Sequence, residues 1–304
     1  MLHEIKLKDN YIDPFTDFGF KRLFGSECNK DILLDFLNEL LHKDEGKIVS
    51  LSYLKNERLG LSSESRKAVF DIYCENERGE KFIVELQKTK QEYFKDRSLY
   101  YSTFAITDQA LQGDWNFELK EVYVIAILDF IFDEGRNEPD KYRYDVMLTD
   151  IDTNLVFYKK LKFVYLEMPK FNKTVDELET HFDKWLYVLK NLKRLDKIPD
   201  KLRIKIFEKM FEVAEIARLE PSEFRSYVDN LNSYRDLKNC LDYAEAKGFD
   251  EGKIEGKMEG LAEGIEKGKI ERNIEVAKQL KVLGIPIEQI AIVTKLSVNE
   301  IEKM

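Results

Sequence analysis

The chain is poor in cysteine and histidine and has no long apolar run. Its three cysteines, Cys28, Cys74 and Cys240, are spread over 304 residues. They are odd in number and lack metal-ligand spacing, which excludes a disulfide framework and points to a reducing, cytoplasmic setting. The three histidines, His3, His42 and His181, are equally scattered. None falls in zinc or triad spacing, so histidine-based hydrolysis is not expected. No segment reaches the roughly 20 apolar residues of a membrane-spanning helix. The opening MLHEIKLKDNY carries no apolar signal core, so no membrane partner is expected. No GxxxxGK[ST] loop occurs, which argues against a nucleotide cofactor.

What the chain has is charge. Charged residues make up 35% and the net charge is −9. An acidic balance works against non-specific nucleic-acid binding, which rests on phosphate neutralisation. The charge is uneven, however. Phe157 to Met210 holds fourteen Lys/Arg against eight Asp/Glu, a local excess of six, including Lys159, Lys160, Lys162, Lys190, Lys193, Arg194, Lys201, Arg203 and Lys205. That run reads either as a basic strip for a polyanion or as solvated helix faces.

The stretch Lys67–Gln87, KAVFDIYCENERGEKFIVELQ, alternates with period two on both arms. Ala68, Phe70, Ile72, Cys74, Phe82, Val84 and Leu86 fall on one parity, as in an antiparallel pair with one buried face. Glu77-Arg78-Gly79 suits a three-residue loop with Gly79 in the left-handed position. That loop sets the register: Glu75 faces Lys81, Tyr73 faces Ile83 and Asp71 faces Glu85. Opposed residues have Cβ atoms about 5 Å apart, where like charges destabilise. Glu75–Lys81 is an ordinary favourable pair. Asp71–Glu85 is not, unless a cation lies between them or water solvates the face.

Two converging carboxylates can hold Mg²⁺, or Mn²⁺, through oxygen ligands, with water and phosphate oxygens completing the shell. Such a metal activates water and neutralises charge on a phosphodiester. Gln87 projects from the same face and could orient the attacking water or a phosphate oxygen. Lys88 has the opposite parity and can join only if the strand ends or twists there.

The flanking order is as informative. Lys30–Leu41 reads as an amphipathic helix with Asn29 as N-cap. Ile48–Leu54 reads as a strand, and the hairpin follows. Glu92–Leu111 is a helix closing near Gly113, and EVYVIAILDF (121–130) is a buried strand. The sum is αβββαβ.

This order resembles the PD-(D/E)XK nuclease superfamily, and more closely its recombination-promoting nuclease (Rpn) and transposase members. The resemblance rests on DPFTDFGFKRLFG at 13–25, FLNELL at 36–41, Asp71, VELQ at 84–87, RSLYYS at 97–102 and VYVIAIL at 122–128. It implies an α/β, restriction-endonuclease-like αβββαβ core with a mostly helical C-terminal extension. It implies a metal-dependent DNA endonuclease, with DNA as partner and Asp71 and Glu85 as metal ligands. Gln87 stands where the superfamily has lysine. A neutral amide supplies hydrogen bonds but no positive charge. The resembled subfamily commonly carries this glutamine. The alternative is a catalytically weak scaffold that binds DNA or protein through its tail.

Arg97 and Tyr101 share a helix face four residues apart. They read as a phosphate contact beside the carboxylates, or as a structural Arg–carboxylate pair. Asp17 and Lys21, also four apart, read as active-site rim or as a simple ion pair.

The expected divisions are a nuclease-like domain over 1–170, a helical region over 171–247 and a tail over 248–304. Strand-like runs occupy 143–168, and helices are expected over Val175–Leu195, Ile204–Arg218 and Glu223–Lys247. Glycines 248, 252, 256, 260, 264 and 268 then recur every four residues. Each interior glycine costs about 1 kcal/mol against alanine. The repeat reads as close helix approach in a homodimer or as a spacer ordered on binding. Gly284, Pro286 and a Ser297/Glu300 capping box delimit short helices in a helix-turn-helix-like end.

Overall fold

The computed structural model describes residues 8–41, 46–58, 68–110 and 116–304. Lys67, Leu111 and Gly113, and with them the expected closure of the long helix, lie outside the described residues, as do His3 and His42. Two compact units divide the chain, Met1–Asp236 and Leu237–Met304.

The first unit begins with α1 (Asp17–Phe24) and α2 (Lys30–Leu41). Asn29 does not cap α2. It ends a short 3₁₀ turn, and its amide donates instead to the Arg22 carbonyl (2.9 Å), tying α1 to α2. Strands β1 (Leu51–Tyr53), β2 (Glu57–Arg58), β3 (Ala68–Val69), β4 (Ile72–Asn76) and β5 (Lys81–Gln87) follow. Next come α3 (Phe94–Thr107), β6 (Val122–Leu128), β7 (Arg143–Thr149) and β8 (Val156–Glu167). The sheet order is β1-β4-β5-β6-β8-β7, with β2 and β3 paired separately. β5, β6 and β8 run parallel; the β1–β4, β4–β5 and β7–β8 pairs are antiparallel. Helix α3 makes the crossover that a parallel β5–β6 pair requires.

The expected single buried face is replaced by two. Ile72, Cys74, Phe82, Val84 and Leu86 pack into the larger core with Phe24, Phe36 and Trp185. Tyr73 and Ile83, of opposite parity, are equally buried and pack with Phe94 and Ala105 of α3. The reason is the parallel neighbour: once β5 sits centrally in an α/β sheet, helices cover both faces. Ala68 and Phe70 also lie in the second core. β3 belongs to its own ribbon with β2, and a bend at Asp71 interrupts the alternation before β4.

The helical region after the sheet contains α4 (His181–Asn191) and α5 (Lys205–Ala214), whose Trp185, Leu186, Leu189, Phe207 and Phe211 enter the larger core. The helix expected from Val175 begins at His181, because Thr180 caps it in a box with Asp183, and the preceding residues form a 3₁₀ turn. Helix α6 (Pro221–Val282) is continuous through the glycine repeat. The second unit ends with α7 (Ile287–Thr294) and α8 (Val298–Glu302) around Ala277, Ile290 and Ile301. Gly284 takes φ +76°, and Ser297 and Glu300 form the expected capping box.

Candidate active site

The hairpin register matches the sequence expectation. Glu75 pairs with Lys81, Tyr73 with Ile83 and Ile72 with Val84. Gly79 has φ +80°, the left-handed conformation that the loop demands and that L side chains resist. One step beyond the last ladder pair, Asp71 meets Glu85. The contact is reciprocal: the Asp71 N–H donates to Glu85 Oε1 (3.2 Å), and the Leu86 N–H donates to Asp71 Oδ2 (2.7 Å). The Asn56 amide holds the Asp71 carbonyl at 2.8 Å, a support with no sequence signal to announce it.

Burial turns this apposition into an electrostatic conflict. Glu85 is only 7% exposed. Its carboxyl is pushed up to about 8, first by burial and then by the charge of Asp71. Asp71 is raised as well, by burial, with the Leu86 N–H opposing and Asp17 adding to the rise. Neither carboxylate has an ion pair within 4 Å among the described residues. A proton or a cation is therefore needed to hold the pair together. Among the described residues no group of three or more His, Cys, Asp and Glu side chains gathers to hold a metal. A metal held by Asp71 and Glu85 would have two hard carboxylates as protein donors, which would suit an ion that keeps most of its shell for water and phosphate.

Gln87 ends β5 and is buried. Its amide is engaged at both ends: the nitrogen donates to the Thr89 carbonyl (2.7 Å), and the oxygen accepts from Arg97. Arg97 therefore pairs with an amide and not with a carboxylate. Its other arm donates to Gln91 (2.6 Å), and its guanidinium lies over the rings of Phe94 (4.9 Å) and Tyr101 (5.6 Å). Arg97 and Tyr101 do share a face of α3, as their spacing requires. Tyr101 packs edge-on against Phe70 at 5.1 Å. Its hydroxyl is raised by burial and then by the Glu85 charge.

Lys88 follows the end of β5, so strand parity no longer directs it. It is half-buried, and its ammonium makes no hydrogen bond or ion pair among the described residues. Burial lowers it, while the charges of Asp17, Asp71 and Asp13 pull it back up. Asp17 and Lys21 form an i,i+4 ion pair at 2.8 Å on α1 and are each about half exposed. Both also act electrostatically on Asp71. The ion pair is therefore present, and its charges reach the Asp71–Glu85 pair.

The DPFTDFG phrase is chiefly architectural. Thr16 caps α1 through the Gly19 N–H (3.0 Å). A Cβ on Gly19 would stand 2.1 Å from the Asp13 carbonyl oxygen, which explains the glycine. Asp13, not singled out from sequence, is buried, pairs with Lys193 and takes the Tyr227 hydroxyl on its N–H (2.9 Å).

The basic strip dissolves into local pairings. Lys162 is 2% exposed, with Asp145 at 3.7 Å. Lys160 donates to the Leu119 carbonyl and Lys190 to those of Pro169 and Phe171. Lys193, Lys201 and Arg203 are held by Asp13, the Asp176 carbonyl and Asp200. Beside the site, Lys90 and Lys95 pair with Asp133 and Glu134. The excess counted in sequence is largely consumed in holding loops.

Compared with known families, residues 14–244 match the model of the PD-(D/E)XK nuclease family transposases. The chain belongs to that family. No curated protein and no solved structure matches it. The mixed sheet with its helical extension is consistent with the PD-(D/E)XK core, and membership supports a nuclease-type function in general terms. The PD-(D/E)XK match stops before the glycine repeat. No helix among the described residues is long and apolar enough to cross a membrane.

Proposed function

We propose that this protein is a divalent-metal-dependent DNA endonuclease of the recombination-promoting or transposase type. The observation that carries the reading is the Asp71–Glu85 pair, a half-buried and a buried carboxyl set against each other with no ion-pair partner among the described residues. Asp71 and Glu85 would hold Mg²⁺, or Mn²⁺, as hard oxygen donors. The ion's chemistry there is to lower the pKa of water and neutralise a phosphodiester. The Leu86 N–H and Asn56 orient Asp71 for that task.

The cation that Gln87 lacks comes from Lys88. Gln87 has its amide committed to Arg97 and Thr89, so it acts as a buttress that sets the end of β5. Lys88 has a half-buried ammonium within the field of Asp17, Asp71 and Asp13, available to a phosphate oxygen. Arg97 reinforces the positive potential at Glu85 from behind Gln87. Tyr101, Asp17 and Lys21 form the rim.

The test is plasmid nicking and linearisation with Mg²⁺, Mn²⁺, Ca²⁺ or EDTA. Metal-dependent cleavage that vanishes in Asp71→Ala and in Glu85→Ala supports the reading. Cleavage that survives both sinks the site. No cleavage in any lane, with DNA binding retained, selects the scaffold alternative. Lys88→Met should lose most of the turnover while keeping calorimetric Mg²⁺ affinity, and Lys88→Arg should recover part of it.

A further inference from the structure

In the second unit, α6 carries Ile254, Met258, Leu261 and Ile265, which are 57%, 67%, 65% and 52% exposed. At 100° per residue these four fall within about 60° of one another, a single apolar stripe on a polar helix. Their spacing is four, three, four, which is a coiled-coil seam and also a palindrome. Reversing the helix about the point between Glu259 and Gly260 superposes the seam on itself.

We infer that this stripe is a self-association surface whose occupant is a second, antiparallel copy of the same helix. Ile254 then meets Ile265 of the second copy, and Met258 meets Leu261. The flanking residues decide between antiparallel and parallel pairing. In the antiparallel register, Glu251 comes beside Lys269 of the second copy, an attraction. Glu255 comes beside Ala262 and Lys257 beside Gly264, so the charges flanking the centre meet small residues; Asp250 comes beside Gly268, with Glu271 one turn further out. In the parallel, in-register pairing Glu251 would lie against Asp250 of the second copy on both sides, a repeated repulsion. Lys247 and Arg272 oppose each other on the stripe and end the seam in either direction.

This also accounts for glycines that the isolated chain does not need. A Cβ built at Gly264 or Gly268 meets nothing within 4 Å, so no contact within the chain requires them. In the antiparallel pair Gly264 leaves room for the long Lys257 side chain of the second copy. The inference is independent of the nuclease reading, since its residues lie outside the family match.

The test uses the full chain, with exposed Cys28 and Cys240 changed to serine. Sedimentation equilibrium should give twice the 35.9 kDa chain mass. Met258→Glu should raise the dimer dissociation constant about a hundredfold or more, because it buries a carboxylate in each half of the seam. Its circular dichroism should keep the helix signal, since the residue is exposed in the single chain. Orientation is read by cross-linking. Ile254 and Ile265 are about 16 Å apart along one helix, beyond disulfide reach. Chains carrying Ile254→Cys mixed with chains carrying Ile265→Cys should oxidise to a disulfide dimer, and neither variant should do so alone. A monomer at all concentrations up to about 100 μM, a dimer indifferent to Met258→Glu, or cross-linking of Ile254→Cys by itself would each overturn the proposal.

Discussion

The two ends of the β4–β5 hairpin were built by the same alternation and reach opposite electrostatic outcomes. At the loop end each formal charge has a partner. Lys81 binds Glu75, Arg78 binds Glu80 and Glu77, and the Asn76 amide also bonds to Glu80. At the open end Asp71 and Glu85 face each other, and the cations whose charge reaches them, Lys21, Lys88 and Arg97, make no ion pair with either among the described residues. A family of local pairs stabilises a turn; an unresolved pair keeps a place for a ligand.

The comparison breaks most sharply through activity. Glu85→Gln should reduce metal-dependent cleavage by at least about a hundredfold, whereas Lys81→Gln at the loop end should leave it within about twofold. Equal losses at both ends would mean that the hairpin matters only as a scaffold.

The next effect is on stability against pH. Glu85 has a folded pKa of about 8, above its unfolded value, so the folded state binds more protons between the two. The metal-free protein should therefore lose stability as pH rises from about 4.5 to about 8, by a few kcal/mol at most at about 1.4 kcal/mol per unit. Urea midpoints in EDTA at pH 5 and pH 8 read this directly. Glu85→Gln should flatten the slope, and Mg²⁺ at a hundredfold over its dissociation constant should restore about 2.7 kcal/mol at pH 8. Asp71→Asn should stabilise the metal-free protein slightly while abolishing Mg²⁺ heats in calorimetry.

Smaller still is the loop itself. Gly79→Ala should cost about 1–2 kcal/mol, because alanine pays for φ +80°. The smallest is Lys81→Gln, which should cost under about 1 kcal/mol in thermal denaturation, since Glu75 is one-third exposed and water can take over its solvation.

Much of this site was legible before any coordinates. Period-two alternation and one glycine sufficed for the register, since a hairpin loop is a local object. Helix α2 was found over its exact span for the same reason. The misreadings share a cause. Asn29 was read as a cap because its neighbours suit one, but a tertiary carbonyl claimed its amide. The lysines of 157–210 were read as a basic strip or as solvated helix faces, and neither reading could see their partners, Asp13, Asp145 and the Leu119 carbonyl, which are distant in sequence or on another strand. For Gln87, read as able to orient water or a phosphate oxygen, nothing in VELQ reveals that Arg97 lies across it.

Sequence alone therefore determined that Asp71 and Glu85 stand opposite each other, because covalent spacing and the left-handed Gly79 leave the two strands one register. Only the tertiary structure decided how far the pair is withdrawn from solvent. β5 is placed between β4 and the parallel β6, and α3 closes over its second face, so Glu85 is buried and Asp71 half-buried, and their repulsion is screened less than on an open hairpin.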